Sequence, residues 1–415
     1  MALALIFCAA SIIAAQRPAL PKQERLLNGL KVLMWPDASA DKVTVKVRIH
    51  SGTAFDQQGK EGTMALLAES FFPNEASRDF FKDDLGGSLD ITANYDYIQV
   101  NASARPDDFL TMLEAVATAV ANPTIDKETT ARLAAKRIEK IKQLDADPVY
   151  AADAAASKQL FGTFPYGRPE FGTVESVSAL GFADLLDARQ RFLTSDNATV
   201  SITGPVDTAL AYRAARRYFG SWLKSDRLIP STFKQPEDPD VRLVSVEGKT
   251  GNYTRFMFRG VARNEKDYAA AAVLSKILEG RLKENLPDAG LIKVANDAHI
   301  LPGSFTIGIT NGDPGSIPQN LITLLLSKPV DGKEFDPAKA AILSHRAKTA
   351  PDEFWLDADT FKLGAPSAEQ KAIESVTLAD VQRVADRLSK NPVVVVKVTS
   401  ADKPASTEKP AAELP

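Results

Sequence analysis

The feature that most constrains the fold of this chain is an internal repeat. Ala183-Asp184-Leu185 precedes a strand-like run over residues 198–203, and Ala379-Asp380-Val381 precedes a second such run over residues 393–398. Each copy is preceded by a Ser-Val pair, at Ser176-Val177 and Ser375-Val376. Because the second copy lies about 200 residues after the first, the sequence predicts two copies of one α+β domain. Chance similarity between two helix–strand units is the alternative.

Proline and charge place the boundary between the two copies. Residues 226–240 carry three prolines among charged side chains, which is typical of an inter-domain linker. The expected domains are therefore residues 24–225 and 241–400. Residues 401–415 are rich in Ala, Pro, Lys and Glu, and this composition predicts a disordered tail.

Hydrophobic periodicity predicts the elements of each domain. The Asn28-Gly29 pair between two apolar runs predicts a tight hairpin turn. The remaining predictions are strands at 43–50, 89–104, 198–204, 241–246, 254–261 and 305–309, and helices at 62–72, 106–120, 126–144 and 266–282.

The N-terminus predicts export. Residues 1–15 form an apolar run without charge, which is the length of a signal-peptide core rather than of a spanning helix. Cleavage near Ala15 would leave no spanning segment and would remove Cys8, the one cysteine of the chain. No Lys or Arg precedes the run, so a retained N-terminal anchor is the alternative. The expected location is the periplasm or the cell envelope.

Composition excludes several classes of function. The 50 Lys and Arg nearly balance the 53 Asp and Glu, so the surface offers no bulk attraction for nucleic acid. Phosphate-binding loops, dinucleotide-binding glycine motifs and the G-x-S-x-G hydrolase elbow do not occur in the sequence. The chain has only three histidines, His50, His299 and His345, and each is expected to be structural or exposed rather than a metal ligand.

Several motifs occur in an order that resembles one known family. They are Gly62-Thr63-Met64-Ala65-Leu66-Leu67-Ala68-Glu69, Leu85-Gly86-Gly87-Ser88-Leu89, Phe164-Pro165-Tyr166-Gly167-Arg168-Pro169, Asp196-Asn197-Ala198 and Tyr218-Phe219-Gly220-Ser221-Trp222. This set resembles the pitrilysin/insulinase metallopeptidases, of the two-domain bacterial or mitochondrial-processing-peptidase-like type. The resemblance implies an α+β fold of two homologous domains, each a largely antiparallel sheet covered by helices. It also implies a closed chamber that holds unfolded peptides.

The zinc motif of that family is degenerate in this chain. An inverted zinc site uses H-x-x-E-H, in which two histidines on one helix face hold the metal and the glutamate activates water. The corresponding positions are Ala65, Ala68 and Glu69, so neither histidine nor the base is present. The third ligand of the family, a glutamate, should fall near Glu139 or Lys140. We therefore expect no catalytic residue, no metal and no cofactor, with Glu69 solvated or ion-paired.

The substrate-aligning pair of the family is also degenerate. The resemblance implies an arginine and a tyrosine in the second domain, at positions that correspond to Pro287 and Lys293. Arg281 survives nearby, but a helical arginine beside a turn is more often a capping group than a ligand. The peptide-aligning role is therefore in doubt.

Three functional hypotheses follow. The first is a catalytically inactive homologue that serves as the non-catalytic subunit of a heterodimeric peptidase, since family members without the zinc motif often pair with a zinc-bearing homologue. The second is a stand-alone peptide-binding, assembly or scaffold protein of the cell envelope. The third, an active metallopeptidase, is disfavoured because metal-assisted hydrolysis requires ligands that this chain lacks.

Overall fold

The computed structural model describes residues 20–225, 233–234, 236–240, 242–310, 317–318 and 320–400. The predicted leader at 1–15 and tail at 401–415 lie outside the described residues, as do residues 226–232 and 235 of the expected linker. Phe233 in the described part of that linker packs against Phe55 and Phe164, with ring centroids 6.4 and 6.2 Å apart.

The described residues form eleven strands and fourteen α-helices. The strands are β1 Lys22–Arg25, β2 Lys31–Pro36, β3 Val43–Ile49, β4 Ser88–Ala93, β5 Ile98–Ala104, β6 Ala198–Gly204, β7 Leu243–Lys249, β8 Tyr253–Arg259, β9 Ile292–Asp297, β10 Ser304–Thr310 and β11 Val393–Ser400. The helices are α1 Thr63–Glu69, α2 Glu75–Asp79, α3 Phe109–Ala121, α4 Lys127–Asp145, α5 Pro148–Phe161, α6 Val174–Ser178, α7 Phe182–Phe192, α8 Thr208–Phe219, α9 Tyr268–Asn285, α10 Leu321–Ser327, α11 Gly332–Ala347, α12 Pro351–Thr360, α13 Ala368–Ser375 and α14 Leu378–Lys390.

The strands form two sheets with the same topology. Sheet 1 has the order β1-β2-β6-β3-β5-β4, and sheet 2 has the order β7-β11-β8-β10-β9. Each sheet has one parallel pair, β2 with β6 and β7 with β11, and its other neighbours are antiparallel. Apart from the extra strand β1, the two sheets have the same strand order when the strands of each are numbered along the chain. The predicted α+β fold of two homologous, largely antiparallel units is therefore confirmed.

The repeated Ala-Asp pair is a helix start in both copies. Asp184 Oδ2 accepts a hydrogen bond from the Gly181 N–H at the start of α7, and Asp380 Oδ2 accepts one from the Thr377 N–H at the start of α14. In both copies the aspartate satisfies the backbone donor just before the helix, and at α14 the Thr377 hydroxyl also accepts from the Asp380 N–H. The sequence repeat therefore corresponds to the same unit in both halves, a capped helix followed by a strand, which is α7 with β6 and α14 with β11.

Each sheet packs one face against helices that belong to its own half of the chain. In sheet 1, Val45, Val47 and Ile49 of β3 are fully buried in a core that also contains α3 and α7 side chains. In sheet 2, Phe256 and Phe258 of β8 occupy the equivalent core with α9 and α14. The opposite face of each sheet requires another cover, because residues alternate between the two faces of a strand.

Helix α5 from the first half supplies that cover for sheet 2. Its small residues Ala152 and Ala156 are completely buried and belong to one apolar cluster with Val394 and Val396 of β11. Alanines on the contact face let the helix lie close to the strands, and the β-branched side chains fill the gap. This contact is mainly apolar, with one ion pair between Asp153 of α5 and Arg255 of β8.

Helix α12 from the second half covers sheet 1 in return, but its contact is ionic. Arg48 of β3 is 1% exposed and donates to Asp357 and Glu353 of α12 at 2.8 and 2.5 Å. Its Nε also donates to Gln99 Oε1 on β5 at 2.5 Å. Lys46 binds Asp352 and Glu353 on the same face. The carboxylates of α12 thus neutralise the positive charges that β3 presents on this face of sheet 1.

We expect Arg48→Ala to destabilise the protein by about 2–3 kcal/mol, because it would remove the nearest cation from Asp357 and Glu353 and leave Lys46 and Arg263 as partial compensation. Denaturant unfolding monitored by circular dichroism measures the effect. The control is Lys142→Ala, which breaks an exposed pair with Glu139 and should cost less than about 1 kcal/mol. Equal unfolding midpoints for the two variants would contradict the prediction.

Candidate functional site: a cleft at the degenerate metal position

The helix that carries the degenerate motif is fixed at its start by a glycine and an aspartate. Gly62 has φ +95°, and a Cβ there would lie 2.9 Å from the Phe171 carbonyl oxygen, so the position requires glycine. Asp56 accepts hydrogen bonds from the Gly62 and Met64 N–H groups at 2.7 and 2.9 Å. Together they set where α1 enters the site.

Strand β4 lies beside α1 at the outer edge of sheet 1. A Cβ at Gly87, just before the strand, would lie 1.7 Å from the Ser103 carbonyl oxygen of β5, so only glycine lets the two strands meet in this register. The glycine pair noticed in the sequence therefore positions the edge strand against the motif helix.

A cleft of about 970 Å³ lies between α1, α4 and β4. It is lined by all three degenerate motif positions and by residues of α4 and β4, including Ala65, Ala68, Glu69, Ile91, Thr92, Ala93, Leu133, Lys136, Arg137, Lys140 and Phe171. The motif positions are therefore brought together on one wall of a cavity large enough for a peptide segment.

Arg137 of α4 contacts the motif helix directly. Its Nη2 donates to Glu69 Oε1 at 2.7 Å and to the Ala65 carbonyl oxygen at 3.3 Å. Its side chain is 6% exposed, and the guanidinium lies 5.4 Å from the centre of the Phe171 ring. Glu69 is therefore ion-paired, which was one of the two states expected for it.

The electrostatics of Glu69 combine burial with positive neighbours. Burial raises the pKa of its carboxyl group, and the charges of Arg137, Lys140 and Lys136 oppose that shift without cancelling it. Its Oε2 atom is buried and accepts no hydrogen bond from the described residues. The carboxylate therefore depends on Arg137 as its main partner.

The residues at this site do not fit zinc. Of the three motif positions, only Glu69 carries a ligand atom, and Arg137 already binds it. Within the described ranges, no group of three or more His, Cys, Asp or Glu side chains is arranged to hold a metal ion. Glu139, which sequence reasoning placed nearest the third ligand, is exposed and pairs with Lys142 at 2.8 Å. No metal-dependent step is derived for this chain.

Arg137 is the site residue that sequence reasoning missed. The predicted third-ligand positions are Glu139 and Lys140, but the α4 residue that reaches Glu69 lies further towards the N-terminus. A signal was available, because Arg137 follows Leu133 and Ala134 on the buried stripe of α4 and precedes Ile141. A charged residue on an apolar helix face needs a partner.

The two predicted substrate-aligning positions, Pro287 and Lys293, lie in different surroundings. Pro287 is exposed after the end of α9, whereas Lys293 of β9 lines a second crevice of about 370 Å³ between sheet 2 and α5. Asp153 of α5 and Asp297 also line this crevice. Arg281 is buried and donates to the Leu325, Lys328 and Pro329 carbonyl oxygens and to Glu334, so it is a capping group.

The three histidines lie away from the motif helix. His50 hydrogen-bonds to Thr360 and Thr199, and burial lowers its pKa to about 3. His345 is exposed on α11. None of the three lines the cleft at the motif positions.

His299 joins the two halves of the chain. Its Nδ1 lies 2.7 Å from Asp96 Oδ2 in the turn between β4 and β5, and its Nε2 lies 3.4 Å from Asp297 Oδ2. Burial opposes protonation of His299, but the hydrogen bonds and charges of Asp297 and Asp96 outweigh it and raise its pKa to about 10. The imidazolium therefore holds the second half to the first at neutral pH.

The fold defines a two-domain α+β protein of the peptidase type, and its predicted motif positions lie on one wall of the cleft. The chain belongs to the insulinase family of peptidases, peptidase family M16. Residues 31–173 match the profile described as Insulinase (Peptidase family M16), and residues 179–328 match the profile described as Peptidase M16 inactive domain. The predicted pitrilysin/insulinase relationship is confirmed.

Known proteins are similar over most of the fold but only weakly in sequence. An uncharacterised zinc protease of Mycobacterium leprae is 26% identical over 203 residues, which cover 48% of this chain and 46% of that protein. The match thus spans less than half of that relative. A peptidase M16 inactive domain from Pseudomonas fluorescens superposes with a TM-score of 0.81 at 17% identity, covering 92% of this chain and 98% of that one. The periplasmic protease PqqL from Escherichia coli superposes at 0.72 and 14%, covering 91% and 47%.

Among the helices of the described residues, none combines the length and the apolar composition needed to cross a bilayer.

Alkaline pH should weaken the link that His299 forms. Because its folded pKa lies near 10, above the ordinary value of 6.5, the contribution is complete below pH 6.5 and is lost as the pH rises through 10. We expect His299→Gln to lower the free energy of unfolding by a few kcal/mol at about pH 6 and by much less above about pH 10. Urea unfolding across this range measures the difference.

The matched control is the exposed His345→Gln, whose effect should stay small at every pH. A wild-type to His299→Gln difference that does not change between the two pH values would show that the charge of His299 does not stabilise the fold.

Proposed function

We propose that this chain is a catalytically inactive member of the insulinase family that binds peptides and acts as the non-catalytic subunit beside a zinc-bearing homologue. The observation that carries the proposal is the motif wall of the cleft, where Ala65 and Ala68 offer no ligand and Arg137 binds Glu69. Water activation by zinc needs an open metal position and a base, and this wall supplies neither. The cleft itself is preserved.

The cleft supports peptide binding through the edge of sheet 1. Strand β4 has a hydrogen-bonded neighbour, β5, on one side only, so its other edge presents unpaired backbone groups. Ile91, Thr92 and Ala93 of β4 line the cleft. An extended peptide can add to such an edge as another strand, with main-chain hydrogen bonds supplying affinity that depends little on sequence.

A partner would supply the chemistry that this chain lacks. The resemblance to the family implies that members without the zinc motif pair with an active homologous subunit, and the charge-free leader at 1–15 favours a shared location outside the cytoplasm. The periplasmic protease among the similar structures supports that location. The proposed domain limits, 24–225 and 241–400, leave each half with one sheet, although β1 begins two residues before the first limit, at Lys22.

The chain alone should show no peptide hydrolysis, and co-expression with a zinc-bearing homologue from the same genome should give a stable complex. Size-exclusion chromatography with light scattering measures assembly, and fluorogenic unfolded peptides measure hydrolysis. Activity should require the zinc motif of the partner. Two separate monomer peaks at micromolar concentrations would contradict the subunit role.

The second candidate is a stand-alone peptide-binding or scaffold protein of the envelope. The observation that favours it is the separation of the two family substrate-aligning positions, because Pro287 is exposed while Lys293 lines a different crevice from the motif wall. Under this proposal the chain binds peptides without delivering them to a partner. Self-association and peptide binding in the absence of any homologue distinguish it.

Both candidates require the cleft beside β4 to hold a peptide. Ile91→Arg would place a long charged side chain into the cleft, and we expect it to weaken the binding of an unfolded peptide about tenfold or more in isothermal titration calorimetry. Leu324→Arg is the matched control, since Leu324 is 61% exposed on α10 and does not line the cleft. Equal affinities of the two variants would place peptide binding elsewhere.

A further inference from the structure

One guanidinium nitrogen touches both ends of the degenerate motif. Positions 65 and 69 are those at which an H-x-x-E-H helix carries its two metal-binding imidazoles. Nη2 of Arg137 lies 3.3 Å from the carbonyl oxygen of Ala65 and 2.7 Å from Oε1 of Glu69. Between positions 65 and 69, the positive charge is therefore supplied by Arg137 of α4, and the negative charge by Glu69 of α1.

The surroundings make that cation difficult to displace. The Arg137 side chain is 6% exposed, and the ring of Phe171 lies 5.4 Å from its guanidinium. Lys140 adds a second positive charge near the same ring, at 5.9 Å. A divalent metal at the motif positions would meet the buried guanidinium of Arg137, where little water screens the repulsion between like charges, while the exposed Lys140 adds a weaker repulsion.

Side-chain length explains why the arginine fills the space of an ion. A glutamate at position 137 would end at about the place where Nε of the arginine lies, and would leave the guanidinium volume open. A zinc ion with bonds of about 2.0–2.2 Å to a carboxylate and two imidazoles needs a space of that kind between the helices.

We propose that Arg137 has taken the structural place of the metal. It is a covalently attached cation that ties α4 to α1 through Glu69, and it keeps divalent metals out even when histidines occupy positions 65 and 69. The inference concerns only the cation, so it holds whether or not the chain pairs with another subunit.

The direct test adds the histidines with and without the arginine. One variant is Ala65→His with Glu69→His, and the other carries Arg137→Glu in addition. After dialysis against ZnCl₂ and removal of free metal, we expect the first to retain no more zinc than wild type and the second to retain about one zinc per chain. Mass-spectrometric metal analysis is the readout. Stoichiometric zinc in the variant that keeps Arg137, or equal zinc in both, would overturn the proposal.

A double-mutant cycle tests the tie between the helices without any added ligand. Glu69→Ala, Arg137→Ala and the double variant are compared with wild type by denaturant unfolding. We expect the coupling of the two residues to change the unfolding equilibrium constant by about tenfold or more. The exposed pair Glu139 and Lys142, treated in the same way, should couple by about threefold or less. Equal coupling in the two cycles would overturn the structural role, even if the histidine variants do not fold.

Discussion

The arrangement of the two sheets depends on a reciprocal exchange of helices between the two halves of the chain. Each sheet buries one face against helices of its own half, and its opposite face is covered by a helix from the other half, α5 on sheet 2 and α12 on sheet 1. Neither sheet would be closed without the other half. The cleft follows from this exchange, because α4, which carries Arg137, leads directly into α5.

The two exchanged helices use different physical interactions although they occupy equivalent places in the repeat. Helix α5 presents alanines to valines, so burial of apolar area supplies most of this contact, and the pair of Asp153 with Arg255 adds one charged interaction. Helix α12 presents carboxylates to Arg48 and Lys46, so its contact depends on charges that have lost most of their water. Apolar burial supplies stability without direction, while the ion pairs fix the helix at one register on the strands.

The sequence predicted the repeat, the strands β3, β6 and β10 and the degenerate motif, because periodicity and spacing are local properties. It did not predict the exchange, since periodicity shows that a helix has a buried face but not which sheet buries it. Asp352, Glu353 and Asp357 have the pattern of a solvated acidic face, yet they meet Arg48. Strand β9 was missed because only its first residues, Ile292 and Val294, alternate as a buried strand does.

The site shows why a lost metal cannot be understood from the lost ligands alone. A half-buried carboxylate at position 69, beside the buried Ala65 and Ala68, loses part of its hydration and is stabilised by a cation. An arginine at position 137 on an apolar helix stripe is costly without an anion. Each residue looks unfavourable when considered alone, and together they form a neutral pair that joins the same two helices a metal would join. The pair therefore holds the wall of the cleft together without a metal, as the proposed peptide-binding role requires.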